Sequence, residues 1–308
     1  MPISRFMRAL KRRMGSVPCL PTPAPALELR DRKQLDRIGT VDKAMQLLLS
    51  LRYAELARHG DPLPSFDDVA FRAYSQNGED GVLHFVFSLI QTTNKKCVEI
   101  CAGDGIECNT ANLIINHGWT GLLVDGDQAK VARGRDFYGM IPETRIWPPK
   151  FVQAWITAES VNSILRDNGM TGEIDLFSLD IDGNDYWIWK AIDCIQPRVV
   201  ILEFQKAWEE SVSMRYTPDY VWPGFRDPKS LSGASLPAFV NLGRKKGYRL
   251  VASHRCLNAV FLQEGVGEQF FPEISAEQVL RDPRAQWSIT QRKEWEKAGK
   301  LSTEWVPV

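Results

Sequence analysis

The sequence has no excess of charge of either sign and no long apolar run. Its 308 residues include 38 lysine and arginine residues and 38 aspartate and glutamate residues, so the formal net charge is +0. A chain without a basic excess does not attract nucleic acid by bulk electrostatics, and we expect no nucleic-acid partner. No apolar run approaches the roughly 20 residues that a membrane-spanning helix needs.

Cysteines are few and are not spaced as metal ligands or redox pairs. The chain has six, and no two of them form a CxxC pair. Paired spacings are typical of zinc sites and redox motifs, whereas single cysteines are commonly buried. Cys97 and Cys101 lie on or beside a predicted buried strand. We therefore predict reduced thiols in a cytoplasmic protein.

Residues 1–70 differ in composition from the rest of the chain. Five basic residues precede the first acid, Glu28, and apolar residues recur among them at helical spacing. Such a basic amphipathic arm makes a peripheral membrane contact, packs on a partner, or packs on its own chain. Residues 17–30 are rich in proline and predict a linker. Residues 41–59 predict a helix that ends before Pro62.

Strands and helices alternate along residues 71–268. This alternation predicts a parallel sheet with helices on both faces. Two late strands, at 249–252 and 259–262, predict a hairpin that adds an antiparallel strand. The predicted fold class is α/β, with a doubly wound, mostly parallel seven-stranded sheet and an N-terminal helical extension. Residues 269–308 predict a polar helical tail.

A glycine turn after the first core strand and an acid after the second predict a nucleoside pocket. Gly103 and Gly105 allow close approach of the backbone to a ligand, and Asp125 can accept hydrogen bonds from a ribose diol. The spacing is not the GxGxxG of a dinucleotide site, and Glu99 would repel a pyrophosphate. A sulfonium nucleoside with an amino-acid moiety fits better, because Glu99 can face its amino group. An ordinary strand-to-helix turn is the alternative.

Acids also follow the fourth and fifth core strands. Asp180 and Asp182 follow one strand, and Glu203 ends the next. Because the carboxyl ends of central strands form the ligand crevice of such a sheet, these carboxylates can converge. Clustered carboxylates repel one another unless a cation or a proton intervenes. The alternatives are a Mg²⁺ site on Asp180, Asp182 and Glu203, a metal-free site with Asp180 touching cofactor or substrate, or capping of the next helix by Asp182 and Asp185.

Two further polar segments flank this predicted site. His254 lies in the predicted turn between the last two strands and is the candidate general base beside Asp180. Upstream, Ser75 and Glu79 match a helix start. The polar residues around them also suit a loop that closes over a ligand.

The segment 205–231 interrupts the alternation with aromatic residues and prolines. Aromatic side chains over the carboxyl edge can stack on a sugar or another ring, and two arginines can hold an anionic group. Packing of a lid or a contact between subunits is the alternative, and a homo-oligomer is among the expected assemblies. The residues are Trp208, Met214, Tyr216, Tyr220, Trp222, Phe225, Arg215 and Arg226.

Several motifs give the sequence a resemblance to a known family. They are SQNGEDG, VEICAGDG, GWTGLLVDGD, IDLFSLDIDGNDYWIW, PRVVILEF, and GAS with KKGYRLV and NAVF, within residues 71–263. The chain resembles the FkbM-like S-adenosylmethionine-dependent methyltransferases. The resemblance implies a Rossmann-like class I methyltransferase fold, S-adenosylmethionine as cofactor and, usually, methylation of a hydroxyl of a sugar or natural product.

The resemblance also assigns roles to residues. Glu99, Gly103 and Gly105 would line the cofactor, Asp125 would bind its ribose, and Asp180 would lie between cofactor and substrate. Cys101 stands where many methyltransferases have a glycine, so its side chain would narrow the pocket. The complete predicted cofactor site comprises Gln76, Glu99, Cys101, Gly103, Gly105, Asn109, Asp125, Gly126, Gln153, Ala154 and Asp180.

The sequence leaves the reaction open among three classes. The first is O-methylation of a glycan or a small molecule. The second is methylation of nitrogen, or another transfer from the same sulfonium cofactor. The third is a non-catalytic binding module, which the joint presence of Glu99, Asp125, Asp180 and Glu203 disfavours.

Overall fold

The computed structural model describes residues 29–223, 231–301 and 304–308, with side chains described from Lys43 onward. The chain divides into two compact units, residues 1–38 and 39–308. The basic arm and most of the proline-rich linker lie outside the described residues, so the contacts expected of them stay predictions. None of the helices among the described residues is long and apolar enough to cross a bilayer.

Seven strands form one sheet, and two short strands form another. The strands are β1 (Lys96–Ile100), β2 (Thr120–Asp125), β3 (Lys150–Gln153), β4 (Gly172–Leu179), β5 (Ile195–Glu203), β6 (Val212–Met214), β7 (Tyr248–His254), β8 (Asn258–Gln263) and β9 (Trp305–Pro307). The large sheet has the order β3-β2-β1-β4-β5-β8-β7. Strands β1 to β5 pair in parallel, and β8 is antiparallel to both of its neighbours. The predicted doubly wound, mostly parallel seven-stranded sheet is confirmed.

Helices cover both faces of this sheet. They are α1 (Leu29–His59), α2 (Glu79–Ile90), α3 (Ala111–His117), α4 (Gln128–Met140), α5 (Val161–Asp167), α6 (Asp185–Ala191), α7 (Leu236–Lys245), α8 (Ala276–Leu280) and α9 (Pro283–Lys297). One apolar cluster joins α5, α6 and α7 to one face, and a second joins α2, α3 and α4 to the other. The central strands are largely apolar because both of their faces are buried.

Two features differ from the sequence prediction. Helix α1 begins at Leu29 rather than at residue 41. The C-terminal tail is helical over Ala276–Leu280 and Pro283–Lys297, as predicted, but it ends in β9, which pairs with β6 in antiparallel register, Val212 opposite Pro307. In α9 the side chains of Ala285 and Ile289 are buried. The C-terminal segment therefore packs beside β6, which belongs to the aromatic segment 205–231, here called the insert.

Candidate active site

Three adjoining cavities lie along the edge of the sheet where the central strands end. The Asp125 cavity has a volume of about 90 Å³ and lies beside the end of β2. The Asp180 cavity has a volume of about 340 Å³ and lies beside the ends of β1 and β4. The Trp287 cavity has a volume of about 320 Å³ and lies between the end of β5 and helix α9. Cys101 lines the first two and Glu203 lines the last two, so the three adjoin one another along one crevice.

The Asp125 cavity has a polar corner and an aromatic wall. The two carboxylate oxygens of Asp125 accept hydrogen bonds from the amides of Gly103 and Asp127, each at 2.8 Å. One further lone pair on each oxygen is left for a ligand. Trp155 lies close to the backbone here, since a Cβ on Gly126 would come within 3.1 Å of the indole. The cavity therefore suits a flat ring at the aromatic wall that is joined to a hydroxyl-bearing group at the polar corner.

Glu99 is a buried carboxylate that holds the loop after β1. Its Oε1 accepts hydrogen bonds from the amide of Asn109 at 2.9 Å and the hydroxyl of Ser178 at 3.3 Å. Its Oε2 accepts from the amide and the hydroxyl of Thr110, at 2.9 and 2.6 Å. A carboxylate offers about four lone-pair positions, and these four donors fill them. Glu99 also lines the Asp180 cavity, so it offers a ligand negative charge rather than a free acceptor.

The two predicted glycines of this loop have different roles. Both adopt left-handed backbone, with φ of 60° at Gly103 and 67° at Gly105. A Cβ on Gly105 would lie 2.8 Å from the side chains of Leu123 and Phe151, whereas a Cβ on Gly103 would meet no atom within 4 Å. Gly105 is therefore required for packing, and Gly103 is required for the left-handed turn that delivers its amide to Asp125.

Cys101 lies where the Asp125 and Asp180 cavities meet. It has a φ of 65°, a left-handed conformation that is uncommon for a residue with a side chain. Burial among protein atoms, followed by the charge of Asp125, raises the pKa of its thiol to about 12. The thiol stays protonated near neutral pH, and we infer that it shapes the junction rather than acting as a nucleophile.

Asp180, Asp182 and Glu203 converge at the ends of β4 and β5, as the sequence predicts. One oxygen from each carboxylate lies within 4.8 Å of the other two. Burial, followed by the negative charges of Asp182 and Asp185, raises the pKa of Glu203 to about 7. Burial and the charge of Glu203 raise the pKa of Asp180 well above its ordinary value, although its side chain is open to the crevice. The two carboxylates therefore share a proton near neutral pH and titrate as a pair.

Asp185 holds the turn that separates β4 from α6. Its oxygens accept hydrogen bonds from the amides of Ile181 and Gly183, each at 2.9 Å. Asp182 has a φ of 56°, so the chain turns there instead of staying extended. The capping considered for both acids is not the role observed, because the N-cap of α6 is Asn184 and Asp185 binds the turn before the helix. Asp182 and Asp185 both line the Trp287 cavity.

His254 ends β7 rather than lying in the turn beyond it. Its Nε2 lies 2.9 Å from the carbonyl oxygen of Asn77, and the side chain is 1% exposed. Because a carbonyl only accepts, Nε2 carries the proton of this hydrogen bond. His254 lines none of the three cavities. The geometry favours a role in holding the loop at Asn77, and its action as a base stays a prediction.

The predicted helix start is confirmed, since α2 begins at Glu79, but Ser75 bonds to Asp80 rather than to Glu79. The hydroxyl of Ser75 accepts a hydrogen bond from the amide of Asp80 at 3.0 Å, and Asp80 binds the amides of residues 73–75 at 2.7–2.8 Å. Glu79 instead accepts from the amide of Asn77 at 2.8 Å and from the side chain of Asn258 at 2.9 Å. The end of the β7–β8 hairpin thus fixes the loop that borders the Asp180 cavity.

The aromatic residues of the insert divide between crevice and core. Tyr220 lines the Asp125 cavity, and Trp222 lines the Trp287 cavity. Trp208 and Met214 are buried, which is the packing role given above as the alternative. The hydroxyl of Tyr216 donates a hydrogen bond to Glu159, and Arg215 forms an ion pair with Glu304. Phe225 and Arg226 lie outside the described residues.

Most of the predicted cofactor residues line the first two cavities. These are Gln76, Glu99, Cys101, Asn109, Asp125, Gly126, Ala154 and Asp180. Gly103, Gly105 and Gln153 line none of the three cavities. Sequence reasoning missed Trp155 and Asn184, although Trp155 follows the end of β3 at the ligand edge. Trp287 carried no such signal because it lies beyond the alternating core.

Comparisons with known proteins bear on the fold. No family model and no curated protein matches the sequence. An O-methyltransferase family protein from Burkholderia thailandensis is 12% identical, with a TM-score of 0.36, over 78% of this chain and 61% of its own length. This chain therefore spans less than two thirds of that protein.

Two other solved structures align with this chain over more of their own length. Magnesium protoporphyrin IX methyltransferase from Synechocystis PCC 6803, with bound SAM, is 11% identical, with a TM-score of 0.33, over 85% of this chain and 92% of its own. The glycopeptide N-methyltransferase MtfA with S-adenosylhomocysteine is 12% identical, with a TM-score of 0.37, over 64% and 94%. At these values the likeness carries no argument, and the strand order with its one antiparallel strand decides the fold class. The fold is the Rossmann-like class I methyltransferase fold.

Proposed function

We propose that the chain is an S-adenosylmethionine-dependent methyltransferase that methylates a hydroxyl of a sugar, a glycan or a small natural product. The observation that carries this proposal is the adjacency of the three cavities. A cavity with Asp125 at its polar corner adjoins, at Cys101, a cavity that contains Asp180 and Glu203. Glu203 also lines the third cavity, where an acceptor would bind.

The residues along the crevice fit the cofactor. Asp125 would bind the ribose, and Trp155 with Tyr220 would border the base. Glu99 and Asn109 would lie beside the amino-acid end, where the charge of Glu99 favours an ammonium group. When bound, the cofactor supplies a methyl group on a positively charged sulfur.

The chain contributes alignment and a proton acceptor. Asp180, once ionised, accepts the proton of the acceptor hydroxyl at a carboxylate oxygen, and the neighbouring charge of Glu203 makes Asp180 a stronger base. Because Glu203 lines both the Asp180 and Trp287 cavities, the pair lies where acceptor and cofactor would meet. Methyl transfer needs little covalent assistance, so alignment and desolvation carry much of the rate increase.

Binding of the cofactor tests the proposal directly. We expect isothermal titration calorimetry to detect a single site that binds either S-adenosylmethionine or S-adenosylhomocysteine, so that the two ligands compete. NAD is the control, because Glu99 disfavours a pyrophosphate at this turn. Absence of heat at millimolar S-adenosylmethionine would reject the proposal.

A bound Mg²⁺ ion is the second means of relieving the repulsion among the carboxylates of Asp180, Asp182 and Glu203. The three carboxylates are hard oxygen donors of the kind that Mg²⁺ prefers, and their oxygens lie within 4.8 Å of one another. We expect turnover to survive EDTA, because a shared proton already relieves the repulsion between Asp180 and Glu203. A loss of turnover that added Mg²⁺ restores would assign the ion to this cluster.

A further inference from the structure

Helix α9 presents an exposed tryptophan to the third cavity. The inner side of the helix is anchored, with Ala285 and Ile289 buried and Arg292 stacked 4.1 Å from the ring centroid of Trp208. Trp287 is 65% exposed, yet it lines the Trp287 cavity. A large indole on a fixed helix, open to a cavity, leaves apolar area in water that a ligand can cover.

The rest of the cavity lining is amphipathic. A second indole, Trp222, lines the same cavity from the insert, together with the polar side chains of Gln205, Ser232 and Ser288. Aromatic faces suit the apolar C–H faces of a sugar ring, and the amide and hydroxyl groups suit its hydroxyls. This combination is unlike a purely apolar pocket.

The charges of the lining select among sugars. Asp182, Asp185 and Glu203 line the cavity, and Lys206 is the one basic residue among its described lining residues. A phosphate, sulfate or carboxylate on the ligand would be repelled by this excess of acids. The lining is therefore suited to an uncharged ring.

The volume exceeds what a reacting hydroxyl requires. The cavity's volume of about 320 Å³ is at the lower end of the roughly 300–1,000 Å³ found for ligand pockets. The cavity reaches from Glu203, beside the proposed proton acceptor, to α9. A ligand that fills it would extend well beyond the group that is methylated.

We propose that the Trp287 cavity is an acceptor subsite for a neutral oligosaccharide, with Trp287 as the platform on which a ring beyond the methylated one stacks. The proposal rests on the proposed function and narrows its substrate class. It assigns a specificity role to the C-terminal helix, which lies outside the part of the chain that carries the sequence motifs.

A glycan array tests this subsite. The labelled full-length chain, saturated with S-adenosylhomocysteine, is applied to an array of neutral and anionic oligosaccharides. We expect binding to neutral glycans, an affinity about tenfold lower for Trp287→Ala, and near-normal binding for Trp287→Phe, which keeps an aromatic face. Trp147→Ala is the matched control, because Trp147 is 86% exposed and lines none of the three cavities.

Three outcomes would overturn the subsite. They are no binding to neutral glycans, binding restricted to anionic glycans, and unchanged binding by Trp287→Ala. Calorimetry with S-adenosylmethionine on the same preparations distinguishes failure of the subsite from failure of the methyltransferase proposal. If the cofactor binds but the array result fails, the subsite is wrong and the methyltransferase proposal stands; if the cofactor fails to bind, the proposed function itself is wrong.

Discussion

Asp180→Asn is expected to lower the methyl-transfer rate roughly 10²–10⁴-fold, the usual contribution of a general base. The amide keeps the size of the side chain but cannot take the proton of an acceptor hydroxyl. Asp180 follows β4 directly and is open to the crevice, so the substitution leaves the sheet intact. Steady-state kinetics should show the loss in kcat, and calorimetry should show S-adenosylmethionine binding within about tenfold of the wild type.

The pH profile separates a proton acceptor from a residue that only orients the substrate. Because burial and the charge of Glu203 raise the pKa of Asp180 well above its ordinary value, Asp180 gains the ability to accept a proton only as the pH rises through that raised pKa. The wild-type rate should therefore rise with pH and level off once Asp180 is ionised. Glu203→Gln is the matched control: it removes the neighbouring charge that raises the pKa of Asp180, so the rise should move to lower pH. A rate that is independent of pH, or an Asp180→Asn enzyme with normal kcat, would contradict this assignment.

Asp125→Ala is expected to weaken S-adenosylhomocysteine binding by roughly 1–3 kcal/mol, the scale of a lost hydrogen bond to a charged group. This is about a 5- to 150-fold rise in the dissociation constant. The same carboxylate also binds the amides of Gly103 and Asp127, so a loss of affinity could come from a disturbed loop. A second ligand resolves the two causes.

The 2′-deoxy form of S-adenosylhomocysteine provides that ligand. If Asp125 binds the ribose diol, the wild type should lose affinity for the deoxy ligand, and Asp125→Ala should lose little more. This non-additivity is the signature of a direct contact in a double-mutant cycle. Losses that add fully would mean that the ribose lies elsewhere.

The chemistry at the strand ends could be predicted because it depends on topology. Parallel neighbours must bring their carboxyl ends to one edge, so Asp125, Asp180 and Glu203 had to share that edge once the strands were located. Only the parallel direction of the strands was needed for this inference, and the alternation of apolar strands with helices predicts that direction.

The side-chain partners could not be predicted, because they depend on contacts distant in the chain. Glu99 looked free to face a ligand, but Ser178, from another strand, and the loop after β1 occupy its lone pairs. His254 looked like a base in a turn, but the carbonyl of Asn77 lies against its ring. Trp287 was invisible because only folding brings α9 beside the end of β5.

A crystal structure of the chain with S-adenosylhomocysteine would test the central claim most directly. We expect the ribose to bind at Asp125 and the amino-acid end to lie in the Asp180 cavity beside Glu99. The sulfur should lie near Cys101 and face the Asp180–Glu203 pair. Density for the ligand at another surface, or a crevice that stays empty at saturating ligand, would contradict the claim.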